Sequence, residues 1–309
     1  MSSAHAVKAD ISDSNVRLGS SAATAQQVAG LVGITGLIAS AVIGFTGMFG
    51  TTHEFLLKSW LQNYLFVLCI ALGAFFFVFI QHLTRAGWST TVRRIAELIA
   101  ANLQWAWVGL VPLVVLWFSG GGHGAEGHAD GHGGWGPAAL FPWADLELMK
   151  SHNYDEYKLV SGKKAYLNSG FFWIRAAIYV SFWAFASRWY LTRSVRQDET
   201  GDVGISMTTQ KWSGPMAIGF GLTTTFAAMD WIMSLSPAWF STMFGVYFFA
   251  GCCTSGFAMI IIAAARLQSL GLLKDVVTRE HYQDLGKLLF GFGMVFWAYI
   301  GFSQYMLIW

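Results

Sequence analysis

Seven apolar stretches, at about 28–50, 61–83, 98–118, 171–191, 213–235, 239–265 and 285–309, are each long enough to cross roughly 30 Å of hydrocarbon as a helix. Inside lipid the backbone must satisfy its own N–H and C=O groups, and a helix does so within each stretch. Composition agrees. Apolar residues make up 55% of the 309, charged residues only 12%, and mean hydropathy is +0.48, whereas a soluble domain is about 25% charged. The chain is therefore read as an all-α integral membrane protein with seven visible spans and four-helix-bundle packing.

Residues 1–27 form a polar N-terminal tail without the basic start and short apolar core of a cleaved signal peptide. Residues 28–118 hold the first three spans, 119–170 a long loop, and 171–309 the last four. Lys and Arg concentrate after the second span (Arg85, Arg93, Arg94), around the fourth-to-fifth connection (Arg188, Arg193, Arg196, Lys211) and around the sixth-to-seventh (Arg266, Lys274, Arg279, Lys287). Retained loops carry the excess of positive charge, so these connections and the N-terminus are expected on the cytoplasmic side and the 119–170 loop outside. A net charge of +2 without a basic patch gives no reason to expect a nucleic-acid partner. Cys69, Cys252 and Cys253 lack metal-ligand spacing and read as thiols packed as small hydrophobes.

Gly33, Gly36, Ser40, Gly44 and Gly47 put a groove of small residues down the first span, which is expected to receive a neighbouring helix. The second span is lined with Phe and ends at His82 and Arg85; the third begins near Arg93, Arg94 and Glu97. Those inner charges read either as an ion cluster anchoring helix ends or as the mouth of a proton path. The loop opens with GGGHGAEGHADGHGGWG, whose His123, His128 and His132 are conceivable metal ligands but sit among glycines that supply no rigid frame. Beyond it, Phe141 and Trp143 suit the headgroup zone, and Tyr154, Tyr157 and Tyr166 are candidates to brace an outer partner.

One carboxylate, Asp230, lies inside the fifth span, where a charge needs a partner or a job. Arg175 lies about one turn into the fourth span and Asp230 about one turn before the end of the fifth, so depth counting places them in the same outer layer of antiparallel neighbours. Their pairing is expected, either as a structural clamp or as a proton-handling or ligand-contacting site. Thr223 shares the face of Asp230, Thr224 adds a second hydroxyl, and Tyr247 on the sixth span extends the polar candidates. A turn at Ser234–Pro237 joins these two spans. At the inner side His281, Asp284 and Lys287 enter the seventh span together, and Val276, Val277 and Tyr282 are expected on the membrane surface. Tyr299, Ser303 and Gln304 offer polar atoms deeper in. The spans read as free of internal repeats and of proline interruption, which counts against a stand-alone transporter. The sequence stops at Trp309 without a polar flank, so a continuation is expected.

Paired histidines within spans, a CxxCH attachment, a cysteine cluster and a nucleotide-binding loop are all absent from the sequence, so any redox centres are expected in partner subunits.

The segments MDWIMSLSPAWFSTMFGVYFFAG and HYQDLGKLLFGFGMVFWAYIGFSQYMLIW resemble those of the NrfD or polysulfide-reductase membrane-subunit family, in its ActF-type branch from bacterial alternative complex III. The resemblance implies an inner-membrane subunit of a respiratory quinol:electron-acceptor oxidoreductase, beside a sister NrfD-like subunit, an iron–sulfur subunit and multihaem cytochrome c subunits. It implies haem c and iron–sulfur clusters in those partners, none on this chain, and a structural or proton-conducting role here. A quinone or quinol pocket at Asp230 remains the alternative. The family fold has about ten helices in two four-helix bundles with peripheral helices, of which seven are visible.

Overall fold

A computed structural model describes residues 12–16, 19–46, 53–119, 138 and 140–308. Their elements are helical throughout. A short α1 (Asp13–Val16) precedes α2 (Ser20–Thr46) and α3 (His53–Leu83). The third span is α4 (Thr90–Ala100), a 3-10 stretch (Ala101–Trp105) and α5 (Ala106–Ser119). The loop contributes α6 (Leu146–His152) and α7 (Tyr154–Ser161). Then follow α8 (Ser169–Thr200), α9 (Val203–Trp231), α10 (Phe244–Ser269), α11 (Arg279–Leu288), a π-helical stretch (Leu289–Val295) and α12 (Phe296–Ile308). Seven of these helical segments are long and apolar enough to span a bilayer, and the chain is a multi-pass all-α membrane protein.

At the centre is α3, packed against α4, α9 and α10, while α8 closes the bundle between the α4–α5 segment and α9. Phe75, Phe77, Phe79, Phe220 and Phe257 meet there, with Phe76 and Phe249 edge-on at 4.8 Å. Lipid is as apolar as these side chains, so close packing and cross-helix hydrogen bonds carry much of the association. The outward faces present large apolar residues such as Leu31, Phe66, Ile178, Ile218 and Phe302, the surface that lipid solvates.

Several boundaries differ from the hydropathy reading. The fourth and fifth spans run on to Thr200 and back to Val203, turning through Gly201, whose φ of +67° is open to glycine at low cost. Asp202 then caps α9 by accepting from the Gly204 N–H at 2.8 Å. Charges at Arg193, Arg196 and Asp198 ended the apolar signal, but a helix needs apolar side chains only where lipid surrounds it. The turn between the fifth and sixth spans is longer than Ser234–Pro237: a 3-10 turn (Met233–Leu235) leads into a connection that lasts until Phe244, where α10 begins. Pro112 lies inside α5 and Pro215 inside α9, so the spans are not free of proline.

Along most of its length the small-residue groove of α2 receives no helix among the described residues, and α3 touches it only near its end. Added methyls at Gly33 and Gly36 would meet open space, and only Gly44 faces a neighbour, the Leu56 side chain. Gly47 and the three loop histidines, His123, His128 and His132, lie outside the described residues. Phe141 and Trp143, expected at the headgroup zone, are buried in an aromatic cluster with Trp117 and Phe172, where the rings pack against one another. Val276 and Val277 are buried rather than membrane-facing, and Tyr282 donates to Gln268 at 2.8 Å. The tail is anchored as well: Asn15 is buried, donates to the Lys274 carbonyl at 3.1 Å and accepts from the Lys274 N–H at 3.0 Å.

Candidate functional site

Near the outer end of the bundle, as the sequence orients it, Arg175 and Asp230 form a two-pronged ion pair. Arg175 Nε donates to Asp230 Oδ2 at 2.7 Å and Nη2 to Oδ1 at 2.9 Å. Tyr179 adds a third donor to Oδ2 at 2.8 Å, and Arg175 Nη1 donates to the Tyr166 carbonyl at 2.9 Å. Both charged residues are buried, at 6% and 1% exposure. Each occupies the less favourable end of its helix: Asp230 is in the last turn of α9, where carbonyls point, and Arg175 near the start of α8, where N–H groups do. Mutual pairing offsets both mismatches, and the fork geometry of guanidinium and carboxylate supplies direction.

The surroundings seal the pair. The Tyr166 ring centroid lies 3.8 Å from the guanidinium carbon and that of Phe171 4.3 Å. The Ser234 hydroxyl donates to the Asp230 backbone carbonyl, holding the end of α9. Asn168 caps α8 by accepting from Phe171 N–H at 2.9 Å, which fixes where Arg175 enters the bundle. Burial, followed by the nearby Asp230 charge, raises the Tyr166 phenol above its ordinary range.

Farther along the same seam between α8 and α9, Trp183 Nε1 donates to Thr223 Oγ1 at 2.9 Å. Tyr190 and Ser213 share a hydrogen bond of 2.9 Å, and Gln197 and Ser206 exchange two, at 2.7 and 3.0 Å. The two helices are thus joined by a ladder of polar contacts from Asp230 to the Gly201 turn. Tyr179, Trp183 and Tyr190 were missed in the sequence, although they follow Arg175 at helical spacing and share its face. Tyr166 enters from an irregular loop, where no periodicity announces it.

At the inner end by the same orientation, Glu97 is buried behind Arg93 and Arg94, with Nε–Oε1 and Nη1–Oε2 separations of 3.4 and 3.3 Å. Arg94 also contacts Asp198 directly. The His82 ring lies 5.6 Å from that of Tyr190, so His82 and Glu97 both gather around the inner end of the ladder.

The remaining candidates separate. Thr224 is buried and its hydroxyl has no hydrogen-bond partner. Tyr247 belongs to another interface, 5.4 Å from the ring of Trp297 on α12. The His281 ring nitrogen Nδ1 accepts from the Thr278 N–H at 3.1 Å and caps α11. Asp284 and Lys287 pair with each other at 3.0 Å in a partly exposed position. His281 thus serves the start of α11 and Asp284–Lys287 lies farther along it; none of the three joins the ladder, because their helix packs beside α10 rather than between α8 and α9. Ser241 donates to Gln304 at 2.9 Å, Ser303 donates to the Tyr299 carbonyl of its own helix, and Tyr299 is exposed. Among the described residues no three His, Cys, Asp or Glu side chains are placed to share a metal ion.

Fold and site together define a multi-pass helical membrane protein with a sealed ion pair at one end of an internal polar seam. No protein-family model matches the chain, and no curated protein matches its sequence.

Proposed function

We propose that this chain is a membrane subunit of a respiratory quinol:electron-acceptor oxidoreductase of the alternative complex III type, with a structural and proton-handling role. The resemblance of the two segments quoted above gives the complex. The observation that carries the role is the α8–α9 ladder, which has a buried carboxylate near each end, Asp230 and Glu97, each held by arginine. In this reading haem c and iron–sulfur clusters belong to partner subunits, and the sister NrfD-like subunit lies alongside in the bacterial inner membrane, with the N-terminus cytoplasmic. Protons enter beside His82 and Glu97 and pass Tyr190 and Thr223 through intervening waters to Asp230, since successive polar pairs are several helix turns apart.

Asp230→Asn in the whole complex, reconstituted into vesicles, tests the role. Reduced charge movement per electron supports it, and unchanged stoichiometry in an intact assembly confines the ion pair to a clamp. Copurifying haem and iron–sulfur subunits support the complex, and an isolated chain with substrate flux supports a transporter instead.

A quinone pocket is the second reading. It draws on Tyr64 Oη and Trp231 Nε1, two buried donors without partners on rings 5.9 Å apart beside the Asp230 site. A quinone carbonyl would satisfy such donors. Bound quinone displaced by Tyr64→Phe would favour this reading over the first.

A further inference from the structure

A cavity of about 710 Å³ opens where the ends of α3, α4, α8 and α9 meet, with His82, the proton entrance of the proposed function, on its wall; proton entry requires neither its size nor its excess of arginine. Its lining includes Arg85, Arg93, Arg94, Gln81, Thr90 and Asp198. Arg93 and Arg94 are engaged with Glu97 and Asp198, whereas Arg85 makes no ion pair among the described residues. Three guanidinium groups against two carboxylates leave the pocket one positive charge in excess. Its volume lies within the roughly 300–1,000 Å³ typical of small-molecule sites.

Two further features select the ligand. The start of α4 faces this space, and its N-cap residue, Ser89, makes no capping bond because its hydroxyl donates to the Ala86 carbonyl. The first amides of α4 are mostly used within the backbone, Thr90 N–H bonding the Gly87 carbonyl at 3.4 Å and Val92 N–H the Ser89 carbonyl at 3.1 Å, so the helix start adds its positive dipole end to the arginines, which together favour an anion. Gln81 is 95% buried by its 5% exposure, and its Oε1 has no hydrogen-bond partner. A buried acceptor needs a donor, so the ligand that satisfies this pocket combines an anionic phosphate with a nearby hydroxyl.

We infer that the cavity binds a phosphate ester bearing a hydroxyl group, with Arg85 holding the phosphate near the start of α4 and Gln81 accepting from the hydroxyl. The shared chemistry occurs in a lipid headgroup and in a free phosphate ester. Basic pockets between spanning helices at the retained-loop side are the recurring site of anionic headgroups.

The test uses the full chain purified in mild detergent with whatever subunits accompany it, stripped of loose lipid. Binding of phosphatidylglycerol, phosphatidylcholine and glycerol 3-phosphate is followed by native mass spectrometry. Phosphatidylglycerol is expected to bind, about tenfold more weakly in Arg85→Gln, consistent with loss of a charge-assisted hydrogen bond, and unchanged in Arg188→Gln, whose side chain lies outside the cavity. Arg85→Lys is expected to recover part of the loss. If Arg85→Gln does not assemble, Gln81→Met supplies the comparison and is expected to weaken phosphatidylglycerol severalfold. Equal binding of glycerol 3-phosphate assigns the pocket to free phosphate esters, and weaker binding assigns it to lipid. Phosphatidylcholine binding as tightly as phosphatidylglycerol, equal losses in the Arg85 and Arg188 variants, or no binding of any phosphate ester would overturn the inference.

Discussion

Gly73 on α3 and Gly256 on α10 cross backbone against backbone: a methyl group on Gly73 would lie 1.8 Å from the Cys252 carbonyl oxygen, and one on Gly256 2.5 Å from the Gly73 carbonyl carbon. Neither obstacle is a side chain that can rotate away. Gly73→Ala and Gly256→Ala are each expected to destabilise the chain at or above the roughly 1–3 kcal/mol typical of overpacked cores. Gly214→Ala, which meets open space within α9, is expected to stabilise by about 0.5–1 kcal/mol through helix propensity. Thermal unfolding in detergent ranks the three, and a tolerated Gly73→Ala would refute the crossing.

The Arg175–Asp230 pair makes a prediction about charge rather than volume. Removing one partner strands the other in the bundle, so Asp230→Leu and Arg175→Leu are each expected to cost about 3–5 kcal/mol. The double variant Arg175→Leu/Asp230→Leu leaves no charge unpaired, although the Tyr179 hydroxyl loses its acceptor, and is expected to recover a large part of that loss. A double-mutant cycle measures the coupling, and strict additivity would mean that the pair contributes no interaction of its own.

Along the seam the rungs are unequal. Thr223→Val leaves the Trp183 indole N–H buried without its acceptor and is expected to cost about 1–3 kcal/mol. Tyr190→Phe leaves Ser213 bonded to the Thr209 carbonyl at 2.9 Å and is expected to cost no more than about 1 kcal/mol. Chemical denaturation of the two variants side by side checks the order.

Tyr166 sets an alkaline limit. Its phenol titrates higher in the folded chain than when unfolded, so its contribution is fully present below the unfolded value of about 10 and is lost as pH rises through the folded value. Melting temperature is expected to fall above about pH 10, and to fall less steeply in Tyr166→Phe. Identical slopes for the two proteins would show that the ring does not titrate between folded and unfolded states as described.

The number of spans and the shared depth of Arg175 and Asp230 were legible in the sequence because both follow from one-dimensional quantities. A length of apolar chain sets a crossing, and counting residues along antiparallel helices sets a layer. Periodicity also held the signal for Tyr179, Trp183 and Tyr190, since residues spaced by whole turns share a face. Hydropathy ended the fourth span too early, because charged residues at Arg193 and Arg196 extend a helix beyond lipid as readily as apolar ones do within it.

Which polar residues meet was decided only by the packing of helices against each other. His281, Asp284 and Lys287 looked like companions of His82 and Glu97 because all lie near one membrane face, yet depth carries no information about azimuth around the bundle. The fold gives His281 to a helix cap and gathers Glu97, His82 and the arginines at the foot of the α8–α9 seam. Tyr166 reaches the ion pair from a loop, where neither spacing nor hydropathy constrains position. One-dimensional pattern fixes how deep a side chain lies, and only side-by-side packing of helices fixes what it faces.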